Sequence, residues 1–219
     1  MDTLPRVEIC YANPGLRAHR ALCPRFYIRD MCPIITMVRI TRAKIGRTTK
    51  NTHELFPIEN LFRKYWVKID GIGVRTHPVV DPFARDCPWG GKFTNDIGID
   101  TKANHHMDAL DFLHKMSNEH RTFHIGILDP PFSPRQANES YGGEGANLYA
   151  SDSPRLRKIE KAISRLIVSG GHVIKFGYNS NPPAKDLELV EMKILAFGGV
   201  VNDWIISVWR NPNRKLEEF

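Results

Sequence analysis

At 219 residues, with 42% hydrophobic and 25% charged side chains, the chain has material for one substantial core and excludes both a disordered polyelectrolyte and a membrane bundle. Its formal charge of +7 favours polyanionic partners without requiring one. The four cysteines, Cys10, Cys23, Cys32 and Cys87, form no Cys-x-x-Cys pair and read as reduced thiols. With His19, the first three match no common zinc spacing, so no metal is expected. No apolar run is long enough to span a bilayer, and Met1 to Arg6 has no signal-peptide core, so a cytoplasmic setting is expected (the host cytoplasm for a viral chain).

Residues 1–33 are rich in proline, arginine and cysteine and read as irregular chain packed on the core. Ile34 to Ile40 is β-rich. A basic stretch follows, with Arg42, Lys44, Arg47 and Lys50 and few acids. Asn51 to Glu54 opens a helix that continues through Leu61 and Phe62 to Trp66. Residues 1–70 are therefore assigned to an N-terminal extension and 71–219 to a catalytic domain.

From His77 strands alternate with helices. Val79-Val80 ends a short buried strand, a second lies near Ile97 to Ile99, and His105 to Met107 forms a very short third. Ala109 to Asn118 is a helix with Leu110, Leu113 and Met116 on one face. His124 to Leu128 is a buried strand. Ser133 to Ser151 reads as a polar, glycine-containing loop. Ser153-Pro154 caps a helix through Val168, which Gly170-Gly171 stops. His172 to Phe176 is a strand, Ala184 to Phe197 a helix, and Trp204 to Trp209 the last strand. This alternation predicts an α/β fold with a mostly parallel twisted sheet and helices on both faces. In such sheets ligands sit beyond the carboxyl ends of the strands.

The residues at those ends are acids and prolines. Asp81-Pro82-Phe83 follows the first strand, Asp96 and Asp100 surround the second, Asp108-Ala109 follows the third, and Asp129-Pro130-Pro131-Phe132 follows the fourth. Singly, each Asp reads as a helix cap or turn residue. The last tetrapeptide suits a pocket for a flat ring bearing an amine: Asp129 and the Pro130 carbonyl accept its hydrogens, and Phe132 stacks on its face.

This series resembles the S-adenosylmethionine-dependent DNA amino-methyltransferases, in particular the adenine-N6 group, over about residues 77–210. The resemblance implies a Rossmann-like class I methyltransferase fold. It implies that Asp81, Pro82 and Phe83 border S-adenosylmethionine, that Asp96 (with Asp100 next) holds its ribose, and that Asp108 and Ala109 contact its adenine. It makes Asp129, Pro130, Pro131 and Phe132 catalytic. The family usually carries glycines just after the first Asp-Pro-Phe, and here Ala84 and Arg85 stand instead, with Gly90-Gly91 later. DNA is the implied partner, RNA adenine and cytosine N4 stay open as targets, and so does a catalytically inactive module that binds nucleic acid or protein. Attack at cytosine C5 needs a Pro-Cys nucleophile, which the chain lacks. A duplex base must leave the stack to be reached. Arg135 and Tyr141 in the following loop, with Arg42, Lys44 and Arg47, are the expected nucleic-acid contacts. With no room for a large recognition domain, short sequence specificity is expected, or a partner protein or homodimer that supplies it.

Overall fold

The computed structural model describes residues 7–10, 37–45, 52–70, 78–131, 133–141, 154–197 and 203–212. The strands among them are β1 (Val7–Cys10), β2 (Met37–Lys44), β3 (Val79–Val80), β4 (Phe123–Leu128), β5 (Ile167–Gly177), β6 (Glu188–Ala196) and β7 (Trp204–Arg210). The helices are α1 (Phe56–Asp70), α2 (Ala109–Asn118), α3 (Pro134–Tyr141) and α4 (Pro154–Leu166). All the strands join one sheet in the order β1-β2-β6-β7-β5-β4-β3. β2, β6, β5, β4 and β3 point the same way, and β7 and β1 run against them. This is the Rossmann-like α/β class.

Alternation along the strands sends side chains to two cores. Val80, Phe123, Leu128 and Val173 meet α2 and α4 on one face, through Leu113, Met116, Ile159 and Ile163. Val79, Ile125, Ile127, Ile174 and Phe176 meet α1 on the other, through Ile58, Leu61, Phe62 and Tyr65. Gly126 is required on β4, because a Cβ there would lie 2.9 Å from the Ile163 side chain of α4. Segments before residue 71 thus belong to the same sheet and cores: β2 pairs with β6, and α1 covers one face.

The second and third strands of the expected series are reduced to single bridges, Asp81 to Thr94 and Asn95 to His105, both parallel. The pairing sits at Thr94-Asn95 rather than at Ile97 to Ile99, whose isoleucines are exposed. Asn95 replaces missing ladder bonds. Its fully buried amide donates to the Pro82 and Met107 carbonyls at 3.2 and 3.0 Å and accepts from the Met107 N–H at 3.2 Å.

Several expectations are corrected. The region 184–197 is not a helix but holds strand β6. Its Leu, Glu, Met, Lys and Ala content favours a helix, yet β2 and β7 flank it on both sides, and their ladders override that preference. Gly170 and Gly171 do not stop α4, which ends at Leu166; they lie in a bulge inside β5. A Cβ at Gly171 would come within 2.8 Å of the His124 carbonyl oxygen, and the buried Asn211 ties the bulge down by donating to the Ile167 carbonyl at 2.7 Å. Residues 1–33 are not wholly irregular, since β1 adds an antiparallel edge. The segment after Phe132 begins as helix α3 rather than loop: Ser133 caps it, accepting from the Gln136 N–H at 3.2 Å, and Pro134 takes the first helical position.

Candidate active site

Strand ends, a helical turn, a helix and a loop converge on one cleft of about 620 Å³, including its part open to solvent. β3 ends in Asp81-Pro82-Phe83, and Asp81 and Phe83 line the cleft. β4 ends in Asp129, Pro130 and Pro131, all three in the lining. The single turn Thr52–Glu54 before α1 brings Thr52 and His53. Gln136 comes from α3 and Phe176 from β5. The loop after Phe83 adds Ala84, Arg85, Cys87 and Trp89, and the Trp89 ring stacks on Phe62 of α1 at 4.1 Å and 10°.

Of the two acids among the described residues of this cleft, Asp81 is buried and Asp129 half-buried, and both are shifted by desolvation. Asp81 is fully buried and its carboxyl is pushed well above the usual range, first by burial, then by the nearby Asp129 and Asp96 charges; the Phe83 N–H, donating to it at 3.0 Å, opposes the rise. Burial lifts Asp129 to about 7, against a hydrogen bond from the Thr52 hydroxyl and the charge of Arg85. His53 is lowered by burial, which keeps its imidazole neutral. Burial, with Asp81 nearby, pushes the Cys87 thiol far up and keeps it protonated.

The remaining expected site residues lie elsewhere on the same rim. Asp96 is buried beyond the Thr94-Asn95 bridge, and its Oδ1 accepts from the Gly98 N–H at 2.8 Å. Asp108 caps α2, accepting from the Leu110 and Asp111 N–H groups, and meets Arg155 at 2.5 Å; Ala109 opens that helix and is buried. Pro82 is buried, with its carbonyl engaged by Asn95. Neither Asp96 nor Asp108 lines the cleft that holds Asp129. Phe132 lies outside the described residues, as do Arg47, Lys50, Cys23, Cys32 and His19.

The expected nucleic-acid contacts fall on two sides. Arg135 is exposed on α3, one residue before the cleft residue Gln136, and Tyr141 ends that helix. Arg42 and Lys44 are exposed on β2, four strand spacings from β4, or about 19 Å. Arg42 pairs with Asp203 at 3.3 Å.

Thr52, His53 and Trp89 were not expected in the site, and Gln136 was expected only as a nucleic-acid contact of the segment after Phe132. The signal for Gln136 was present, because Ser133-Pro134 is the same helix start as Ser153-Pro154. Nothing local marks Thr52, which reaches Asp129 only because α1 packs across the sheet.

Among the described residues, no set of three or more His, Cys, Asp or Glu is arranged to hold a metal, and no helix is long and apolar enough to cross a membrane. No protein-family model and no curated protein matches the chain. Among solved structures, SMU.776, assigned as a methyltransferase and crystallised with SAH, is 17% identical and is matched over 66% of this chain and 48% of its own, with a TM-score of 0.45. A SAM-dependent methyltransferase from Agrobacterium tumefaciens is 14% identical, matched over 80% of this chain and 67% of its own, with a TM-score of 0.47. The N-methyltransferase NodS from Bradyrhizobium japonicum is 10% identical, matched over 74% of this chain and 99% of its own, with a TM-score of 0.41. The chain spans less than half the length of SMU.776. The fold class follows from the chain's own strand order rather than from these likenesses.

Proposed function

We propose that the protein transfers a methyl group from S-adenosylmethionine to the exocyclic N6 amine of adenine in DNA. The observation that carries this reading is the meeting of Asp129 and Pro130 with the desolvated Asp81 in one open cleft. Two desolvated acids lining one cleft repel when charged, and a cationic ligand relieves them. S-adenosylmethionine fits that requirement, because it carries a sulfonium and an ammonium. When bound, it supplies an activated methyl group. Asp81 and Phe83 would border it at the end of β3, and Asp96, two residues past Thr94 and outside the cleft lining, would be the acid to hold its ribose. The same three solved structures, named as methyltransferases, are in keeping with this choice.

The chain's own task is to prepare the acceptor. The lone pair of an adenine amine is delocalised into the ring, so the nitrogen is a poor nucleophile. Asp129, as the carboxylate, accepts one amine hydrogen and the Pro130 carbonyl accepts the other, which favours a pyramidal nitrogen. Consecutive prolines fix φ and leave no competing N–H at this turn. Thr52 holds Asp129 in place and favours its charged form. Positioning and electrostatics then carry the reaction, with no covalent enzyme intermediate. Cys87 lies in the cleft, but its protonated thiol is unsuited to the nucleophilic route used on cytosine C5.

A flipped base enters from the side of α3, where Arg135 and Tyr141 contact the strand, and Arg42, Lys44 and Arg47 follow the backbone farther along. Specificity is short, or is supplied by a partner protein or second copy. The test is a tritiated-methyl assay on DNA, RNA and protein pools, followed by nucleoside mass spectrometry. N6-methyladenine in DNA is the expected product. Label confined to RNA, protein or small molecules overturns the reading, and sequencing of methylated sites reads the specificity.

A further inference from the structure

Arg85 stands where the resembling family usually has glycine, and it keeps the glycine's backbone. Its φ is +49°, in the left-handed region that glycine enters freely and other residues rarely adopt. It is the second residue of the turn Ala84 to Cys87, closed by the Cys87 N–H donating to the Ala84 carbonyl at 2.7 Å. Glycine, asparagine and aspartate dominate such positions. The other non-glycine residue of this kind among those described is His120, at φ +53°, just past the end of α2, where a left-handed residue is a common helix stop. Arg85 has no such role.

Its side chain points to one. Arg85 is exposed and lines the cleft with Asp81 and Asp129. Apart from its attraction to Asp129, no hydrogen bond or ion pair engages it among the described residues. Among the described residues it is also the one permanent cation in the lining. A donor with an amino-acid tail brings a carboxylate as well as its cationic groups. Beside two aspartates that carboxylate is repelled unless a cation meets it. A guanidinium does so with paired, planar hydrogen bonds.

We propose that Arg85 is the anchor for the α-carboxylate of the methyl donor, replacing the close backbone approach that glycine gives with a charge-assisted side-chain contact. This deepens, and rests on, the methyltransferase reading. Free phosphate groups of a nucleic acid present a similar oxyanion, so the test separates the two sources.

Titration calorimetry on the full chain compares S-adenosylhomocysteine with decarboxylated S-adenosylmethionine, which keeps the sulfonium and ammonium but lacks the carboxylate. Arg85→Gln is expected to weaken S-adenosylhomocysteine by about tenfold or more while leaving the decarboxylated ligand within about twofold. Arg85→Gly is expected to show the same selective loss with a raised Tm, because it frees the strained backbone, and it stands in if the Gln variant folds poorly. Equal losses on both ligands, or none on either, overturn the proposal. So does unchanged S-adenosylhomocysteine binding with a shallower salt dependence of duplex binding, which would assign Arg85 to phosphate. A wild-type chain that binds neither ligand overturns the methyltransferase reading itself, whereas binding unaffected by Arg85 substitution overturns only the anchor.

Discussion

Buried acids occur in two parts of this molecule, and the two parts treat them differently. In the sheet interior each has a cation. Glu160 of α4 is 1% exposed and meets Lys175 of β5 at 2.8 Å and Arg157 at 3.1 Å. Glu191 of β6 is met by Lys64 and by the Tyr65 hydroxyl, at 2.9 Å for the tyrosine, both from α1. At the carboxyl rim, Asp81 is buried and Asp129 half-buried, the Asp129 charge adds to the cost of ionising Asp81, and the cation that acts on Asp129, Arg85, is exposed. A folded chain tolerates a buried charge where a partner answers it. Where two acids share a cleft with little compensation, the proposed function has a cationic ligand supply the missing charge. That difference separates structural acids from functional ones better than burial does.

The contrast is broken most directly by removing one acid from the rim. Asp129→Ala is expected to lower methyl transfer about 10³-fold, with S-adenosylhomocysteine affinity held within about threefold because Asp81 remains. Single-turnover rates and calorimetry read the two quantities. Substantial turnover would end the role assigned to Asp129. In the interior the same kind of deletion acts on folding. Lys175→Ala strands Glu160 with only the exposed Arg157 and is expected to cost about 3 kcal/mol in urea unfolding. A cost near zero would erase the distinction between the two regions.

A finer measure is pH. The folded-state value of Asp129 lies near 7, above the ordinary 3.8, so between these values the folded chain binds more protons than the unfolded one. Stability attributable to Asp129 is therefore highest in acid and falls as pH rises through about 7, whereas methyl transfer rises over the same range as the carboxylate forms. Asp129→Asn is expected to remove both trends and to stabilise the fold at pH 8 by on the order of 1 kcal/mol. Opposite slopes of Tm and single-turnover rate against pH in the parent chain check the sign.

Asp96→Ala is expected to weaken S-adenosylhomocysteine about tenfold with a smaller effect on the bound-state rate, a KM-type loss. The smallest expected effect belongs to Thr52→Val. It removes the bond that favours the Asp129 carboxylate, so the pH–rate profile should move to higher pH, with a loss of a few-fold at pH 7 that alkali restores. A uniform loss at every pH would mean that Thr52 only supports the fold.

The acid-bearing strand ends were readable in advance because they are local. Val79-Val80 before Asp81 and Phe123–Leu128 before Asp129 are short apolar runs that stop at Asp-Pro, and both end in the cleft. Helix α2 was readable from its 3.6-residue spacing and its Asp108 cap. Strand β6 was not, because its composition favours a helix and only pairing with β2 and β7 on both sides makes it a strand. The bulge at Gly170-Gly171 was not, because a glycine pair ends helices as readily as it bends strands.

The sequence by itself determined the class of fold and the identity of the acids and prolines at the strand ends, since period, turn chemistry and residue type act over a few neighbours. Only the tertiary structure decided that Asp81 and Asp129 share a cleft while Asp108 is taken up by α2 and Arg155, and that Thr52 and Arg85 stand beside them. Desolvation and charge coupling depend on distances between segments far apart in the chain, and those distances exist only once α1 has packed across the sheet and the strands have aligned.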